Sequence, residues 1–288
     1  MTEPEENVEA CIVCDAPMAP TGPWTRRCAA CGFERSSLEP SGGAAVEGVE
    51  ALRRANFRTM LDAFERLAPI DGVDVLEVGC AGGLFLDEAA RRGARALGLE
   101  PDPTNAASAR ERGHDVVTGF FPGALDGARP FDVVVFNDVF EHLPDPVGAL
   151  QAVDAALRPG GALILNLPST DGVFYRVARA AKSLGVTGPY ERLWQAGLPS
   201  PHLSYFSDDT LRRFVERRSS LVLAEAFTLP SIVREGLRER IATTHSGPVG
   251  AALYAALWLA PPAMGALPAA LIVHVYRKPS DAADRAAA

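Results

Sequence analysis

The sequence predicts a doubly wound α/β domain behind a small metal-binding ribbon, and three observations carry that expectation. Apolar runs of strand length alternate with amphipathic helical stretches from Val49 onward, the alternation of a parallel sheet covered on both faces. One run, Asp74 to Glu77, passes into the small residues Gly79, Ala81, Gly82 and Gly83 and then a helix beginning near Leu84. Such a turn lets backbone touch a ligand lying across the strand ends. Ahead of all this stand two Cys-x-x-Cys pairs.

With 288 residues, 48% hydrophobic and 22% charged, the chain suits one well-cored domain plus an appendage. A net charge of -8 argues against a general nucleic-acid or anionic-membrane surface, since those partners reward clustered Lys and Arg. The acidic start, Met-Thr-Glu-Pro-Glu-Glu-Asn, has no apolar leader, so a cytoplasmic location is expected. The fifth cysteine, Cys80, lies in the glycine loop and reads as a partly buried thiol.

Residues 1–35 form the expected ribbon. Cys11 and Cys14 are separated from Cys28 and Cys31 by thirteen residues, and each pair can present two thiolates from a tight turn to one tetrahedral zinc. A segment this short has almost no apolar core, so metal binding supplies most of its folding free energy. Disulfides or free thiols are the alternative. Ribbons also grip nucleic acid, but residues 1–45 carry seven acids against three bases, which opposes phosphate binding. Residues 36–48, rich in Ser, Gly and Ala, read as a linker that separates the ribbon from the rest.

From Val49, Leu52, Phe57, Met60, Leu61, Phe64 and Leu67 make one apolar helical stripe ended by Pro69. After the glycine-loop unit, the strand Arg95 to Leu99 ends in Glu100. A carboxylate there, roughly 20 residues after the first glycine, meets the hydroxyls of a bound ribose. A helix over about 104–112 and a short strand, Asp115 to Thr118, lead to Phe120, which either covers a ligand ring or plugs the core.

The buried strand Phe131 to Phe136 delivers Asn137, Asp138, Glu141 and His142 into the same crevice. Pro146 then starts a helix closed by Pro159-Gly160-Gly161 before the strand Ala162 to Leu167. Residues 171–205 break the rhythm with an aromatic and basic insertion, expected to sit over the crevice as a lid or acceptor wall that includes His202. Ser207 caps a helix through Val215. Leu221 to Phe227 and Ala269 to Tyr276 are the last strands, and the tail over 279–288 is expected to be disordered. Residues 230–268 form an apolar helical insertion. Pro261, Pro262 and Pro268 interrupt it short of the roughly 20 residues a spanning helix needs, leaving packing on the domain or a peripheral lipid contact.

At this point the sequence resembles the class I S-adenosylmethionine-dependent methyltransferases over about Val49 to Lys278. The resemblance rests on Val75-Leu-Glu-Val-Gly-Cys-Ala-Gly-Gly, Gly-Leu-Glu100-Pro-Asp, Phe131-Asp-Val-Val-Val-Phe-Asn-Asp-Val-Phe-Glu-His-Leu-Pro-Asp-Pro and Leu157-Arg-Pro-Gly-Gly-Ala-Leu-Ile-Leu, in that order. Ala81 stands where the family's first motif has its middle glycine. The resemblance implies a Rossmann-like seven-stranded sheet with the last strand antiparallel. It also implies a branch acting on small molecules, quinones and sugar- or lipid-linked intermediates, and the four-Cys ribbon resembles that of some sugar methyltransferases.

By the same resemblance Glu77, Gly79 and Gly83, with Cys80 between them, hold the methionine part of the cofactor. Glu100 accepts from the ribose hydroxyls, Pro101 and Phe120 flank adenine, and Asn137 faces the sulfonium. A hydroxyl acceptor must lose a proton, for which His142 and His202 are the candidate bases; either can instead brace the loop it sits on. His114 and His274 fall at strand edges as structural residues. Two other functions compete. A nicotinamide oxidoreductase would share the ribose-binding acid, but Gly-Cys-Ala-Gly-Gly-Leu holds no Gly-x-Gly-x-x-Gly to admit a pyrophosphate. An RNA methyltransferase gripping substrate with the ribbon is opposed by the ribbon's acidity.

Overall fold

The computed structural model describes residues 9–41, 50–125, 130–231, 237–242, 247–259 and 267–280. In chain order the elements are β1 (Met18–Pro20), β2 (Thr25–Cys28), β3 (Glu34–Ser36), α1 (Glu50–Leu67), β4 (Asp74–Val78), α2 (Leu84–Ala90), β5 (Arg95–Glu100), α3 (Pro103–Glu111), β6 (Asp115–Thr118), β7 (Phe131–Asn137) and α4 (Pro146–Ala156). Then follow β8 (Leu157–Pro168), α5 (Val173–Ser183), α6 (Gly188–Leu193), β9 (Ser204–Tyr205), α7 (Asp208–Arg218), β10 (Val222–Leu229), α8 (Leu237–Ala242), α9 (Gly247–Leu259) and β11 (Leu271–Arg277).

Seven strands form one sheet in the order β10-β11-β8-β7-β4-β5-β6. β4 runs parallel to β5 and β7, and β7 to β8, while β11 is antiparallel to both its neighbours, as expected of the last strand. β4 and β7 are buried along most of their length because helices cover both faces, so their sequences are unbroken apolar runs. α1 buries Phe57, Met60, Leu61 and Phe64 against Phe85 and Val75 on one face of the sheet. On the other face Leu150 and Val153 of α4 and Leu211, Phe214 and Val215 of α7 pack onto Val134, Phe136 and Leu165.

Local chemistry sets the element ends. Asp102 caps α3 by accepting from the backbone of Thr104 and Asn105, with Pro103 opening the helix. Asp145 caps α4 in the same way, and Ser207 forms a capping box with Thr210 at the start of α7. Some boundaries differ from expectation: α7 runs on to Arg218 and β10 to Leu229, and α4 stops at Ala156, so that Pro159-Gly160-Gly161 belong to β8. The Gly160 N–H donates to the Lys278 carbonyl at 2.9 Å and the Lys278 N–H to the Gly161 carbonyl at 2.8 Å, so pairing beyond the end of β11 draws the turn residues into the sheet.

The ribbon is not a detached unit. β1, β2 and β3 form an antiparallel sheet whose fourth strand is β9, from the far end of the chain, with Glu34 opposite Tyr205 and Arg35 opposite Ser204. Cys11, Val13, Met18 and Phe33 share the core that holds Phe140 and Phe206. Residues 36–41 also dock: the N–H groups of Ser36, Ser37 and Ser41 donate to the carbonyls of Leu203, Trp24 and Pro199. These contacts join across long sequence separations, which no local composition announces. The rest of the expected linker, residues 42–48, and residues 281–288 of the tail lie outside the described residues, as do Pro261 and Pro262. Within the described residues no helix is long and apolar enough to cross a membrane.

Candidate functional site

The site is built on the turn between β4 and α2. Gly79, Ala81 and Gly83 all take left-handed backbone, with φ of 72°, 45° and 83°. A Cβ on Gly79 would sit 2.5 Å from the Val139 side chain, so both conformation and space demand glycine there. Gly79 and Cys80 donate to the carbonyl of Leu99, tying the turn to the end of β5. The Cys80 thiol turns inward, packing where a Gly98 Cβ would be, and its carbonyl accepts from Gly83. Cys80 therefore offers the crevice backbone, not sulfur.

At the end of β5 the Glu100 carboxylate bends back over this turn. Its two oxygens accept from the Ala81 N–H at 2.8 Å and from the Asp102 N–H at 3.0 Å. Pinned by two fixed donors, the carboxylate still has lone pairs for a ligand's hydroxyls. Pro101 follows it, and Phe120 stands 77% exposed beyond β6, so it plugs no core.

The rim continues at the end of β7. Asn137 donates from Nδ2 to Glu77 Oε1 at 2.9 Å, while Asn137 Oδ1 and Glu77 Oε2 are buried without partners. Burial pushes Glu77 up to about 8, despite the Asn137 hydrogen bond that lowers it. Unpartnered buried polar atoms are costly, and their clustering at the neighbouring ends of β4 and β7 marks a place for a polar ligand. Arg53 of α1 is the cation whose field reaches Glu77, Asp138 and Glu141. Sequence reading did not single it out.

Beyond Asn137 the backbone turns sharply at Asp138, φ 53°, and brings Glu141, His142 and His202 together. His142 Nδ1 meets the Pro201 carbonyl at 2.8 Å, and its ring packs edge to face on His202 at 4.7 Å. His202 Nε2 contacts the Gln195 side-chain amide at 2.9 Å, and its Nδ1 is buried without a partner. Both Glu141 oxygens are likewise unpartnered; His142 and His202 lie 3.9 and 4.0 Å from Oε1. Burial, with Asp138 nearby, holds the Glu141 carboxyl well above the usual range. Burial also lowers His142 and, with His142 adjacent, pulls His202 down to about 3. Two neutral imidazoles and a carboxyl with ligating atoms within 4.8 Å of one another can accept a proton or hold a divalent cation. By contrast His114 pairs with Asp87 and packs its ring against Gly83, where an added Cβ would meet it at 2.9 Å, and His274 pairs with Asp208 and Tyr276.

The four ribbon sulfurs, of Cys11, Cys14, Cys28 and Cys31, lie within 4.8 Å of one another and none is in a disulfide. Cys11 and Cys31 are 3.5 Å apart, as are Cys14 and Cys28, near the roughly 3.8 Å edge of a tetrahedron with zinc–sulfur bonds of about 2.3 Å. Burial raises the Cys11 and Cys31 thiols, while at Cys28 burial is outweighed by hydrogen bonds from the Cys31 backbone and the Cys14 side chain, which bring that thiol down to about 7.

A seven-stranded sheet with an antiparallel last strand, a glycine turn after its central strand and an acid closing the next define the class I S-adenosylmethionine-dependent methyltransferase fold. A family model described as a methyltransferase domain matches residues 52–219, and the chain belongs to that family. Among curated proteins it is 35% identical over 107 residues to the ubiquinone biosynthesis O-methyltransferase of Caulobacter vibrioides, covering 34% of this chain and 42% of that protein. It is 34% identical over 99 residues to that of Methylobacterium sp. strain 4-46, covering 32% and 40%. The chain thus spans about two-fifths of the length of these relatives. Among solved structures, it matches a putative sarcosine dimethylglycine methyltransferase from Galdieria sulphuraria with TM-score 0.54 and 16% identity, covering 83% of this chain and 92% of that one. Magnesium protoporphyrin IX methyltransferase from Synechocystis PCC 6803, solved with bound SAH, matches with TM-score 0.54 and 10% identity over 82% and 90%. At such identities the two structures bear on the fold alone.

Proposed function

We propose that the protein moves the methyl group of S-adenosylmethionine to a hydroxyl of a small or carrier-linked acceptor. Support comes foremost from the Glu100 carboxylate folded onto the Ala81 N–H at 2.8 Å, beside unpartnered Glu77 and Asn137 atoms at the neighbouring strand ends. Glu100 receives the ribose hydroxyls, and Pro101 and Phe120 flank the adenine. Gly79, Cys80 and Gly83 present backbone to the methionine portion. Arg53 supplies the positive field suited to its carboxylate, and Glu77 and Asn137 face its amino and sulfonium end. The cofactor supplies an already activated methyl group.

What remains for the chain is to align an acceptor atom in line with that methyl and exclude water, which can lower the barrier by several kcal/mol. The acceptor lies over the ends of β7 and β8, walled by α5, α6 and His202. There the neutral imidazole of His142 or His202 takes the hydroxyl proton, beside the Glu141 carboxyl, whose Oε1 lies 3.9 and 4.0 Å from the two rings. A quinone-type acceptor is favoured by the curated relatives, whose names specify ubiquinone biosynthesis. Exposed Phe174 and Val177 on α5, with Leu184 and Val186 after it, suit a lipid-borne acceptor met at a membrane surface from the cytoplasm. Zinc in the four-cysteine cage is structural, since four thiolates leave no open position.

Incubation with methyl-labelled S-adenosylmethionine and a panel of catechols, quinols, sugars and RNA tests this reading. Label on a phenolic hydroxyl is the expected result. Label on RNA alone, or on no hydroxyl compound, overturns it.

A further inference from the structure

The ribbon carries a carboxylate that its metal cage does not use. Glu34 lies three residues after Cys31, on β3, with its side chain 2% exposed. One oxygen accepts from the hydroxyls of Tyr175, on α5, at 2.6 Å and of Tyr190, on α6, at 2.8 Å. The other faces Arg27 at 3.5 Å and Arg179 at 3.6 Å with no hydrogen bond to either. A buried carboxylate with this set of partners is expensive to disrupt, because removing it strips two buried hydroxyls of their short hydrogen bonds and leaves them facing each other at 3.4 Å.

The same strand leads onward to the site. Two residues on, Ser36 donates its N–H to the Leu203 carbonyl and its hydroxyl to the His202 carbonyl, at 2.9 and 2.8 Å. The Leu203 N–H in turn donates to the Glu141 carbonyl at 2.7 Å. Trp24 of the ribbon stacks on Tyr190 and meets Trp194 edge-on, and the Trp194 carbonyl accepts from His202. Every backbone anchor of His202 therefore reaches either the ribbon or a residue the ribbon packs on.

We propose that Glu34 is a positioning residue, the joint through which metal loading of the ribbon sets the α5–α6 wall and places His202 beside Glu141 and His142. The inference rests on the zinc and acceptor-wall assignments of the proposed function. Without metal, the segment 9–36 lacks a core of its own, β3 no longer templates β9, and the wall loosens. The cofactor turn is built on β4, β5 and β7, none of which pairs with the ribbon. Although Phe33 and Met18 share a core cluster with Val78, Leu99 and Phe136, the turn's hydrogen bonds from Gly79, Cys80 and Ala81 run to Leu99 and Glu100 without the ribbon, and it stays formed. Metal occupancy then switches the acceptor half of the site while sparing the cofactor half.

Hydrogen exchange by mass spectrometry on the full chain, with zinc measured by a colorimetric chelator and SAH affinity by calorimetry, tests the joint. Chelation should speed exchange over 188–206 at least tenfold and leave SAH affinity within twofold. Glu34→Ala should do the same with zinc retained. Glu34→Gln, whose carbonyl still accepts from both tyrosines, should keep the wild-type protection. Unchanged exchange over 188–206 after zinc loss or in Glu34→Ala overturns the proposal, as does a protein that binds no zinc. Failure of the methyl-transfer reading would register separately, as wild-type protein that does not bind SAH while the exchange pattern still responds to metal.

Discussion

The ring of His202 stands edge to face against that of His142, 4.7 Å between centroids, over a Glu141 carboxyl whose oxygens have no other partner. The buried Glu141 and His202 and the half-buried His142 meet with no counter-ion in hydrogen-bond range, leaving polar atoms that a ligand can satisfy. For a hydroxyl acceptor, His142→Ala and His202→Ala should each lower kcat by about 10²–10⁴-fold if that ring takes the proton, with SAH affinity unchanged. Single-turnover kinetics at saturating cofactor measures it.

The same burial makes stability depend on pH. His202 has its folded pKa depressed to about 3, so the neutral ring favours the fold above the unfolded pKa of about 6.5 and that contribution is lost as pH falls toward 3. The limiting slope is about 1.4 kcal/mol per pH unit. Thermal unfolding between pH 7 and 4 should show the decline, and His202→Gln should flatten it.

Glu77 acts in the opposite sense. Its folded pKa is raised to about 8, so its contribution is fully present below the unfolded value near 4.5 and lost as pH rises through 8. Glu77→Gln should raise the melting temperature of cofactor-free protein at pH 8.5 relative to wild type and narrow the difference at pH 5. It should also weaken cofactor binding, since Gln cannot take the negative charge that a bound ammonium would favour on Glu77.

Gly79→Ala meets the Val139 side chain at 2.5 Å while holding φ at 72°. Left-handed backbone alone costs a non-glycine residue about 1–3 kcal/mol. Chemical denaturation should show a loss of at least that size. Gly123→Ala, where an added Cβ meets nothing within 4 Å, should stay within about 0.5 kcal/mol of wild type.

The sheet and its cofactor turn were legible because their signals are local. The run into Glu77, the glycines after it and the acid at Glu100 all follow from strand and turn chemistry within a single β-turn-α-β stretch. The union of β3 with β9 was not legible: Glu34 and Tyr205 pair across most of the chain, and neither sequence neighbourhood signals the other. Glu34 counted in sequence only toward the ribbon's acidity and Arg53 carried no signal, and only the fold shows what each faces. Glu141 was placed at the crevice by its strand end, but its unpartnered oxygens depend on His202 arriving from the far side of the insertion. The Pro159-Gly160-Gly161 run misled because such a run normally closes a helix and leads into the next strand, whereas here the backbone after β11 draws it into the strand itself.

Calorimetric titration of SAH into wild-type protein and Glu100→Ala bears most directly on the central claim. The geometry predicts micromolar-range binding to wild type and a loss of at least tenfold in the variant, about 1.4 kcal/mol or more. Equal affinity in the two proteins, or tighter binding of NADH than of SAH, would contradict it.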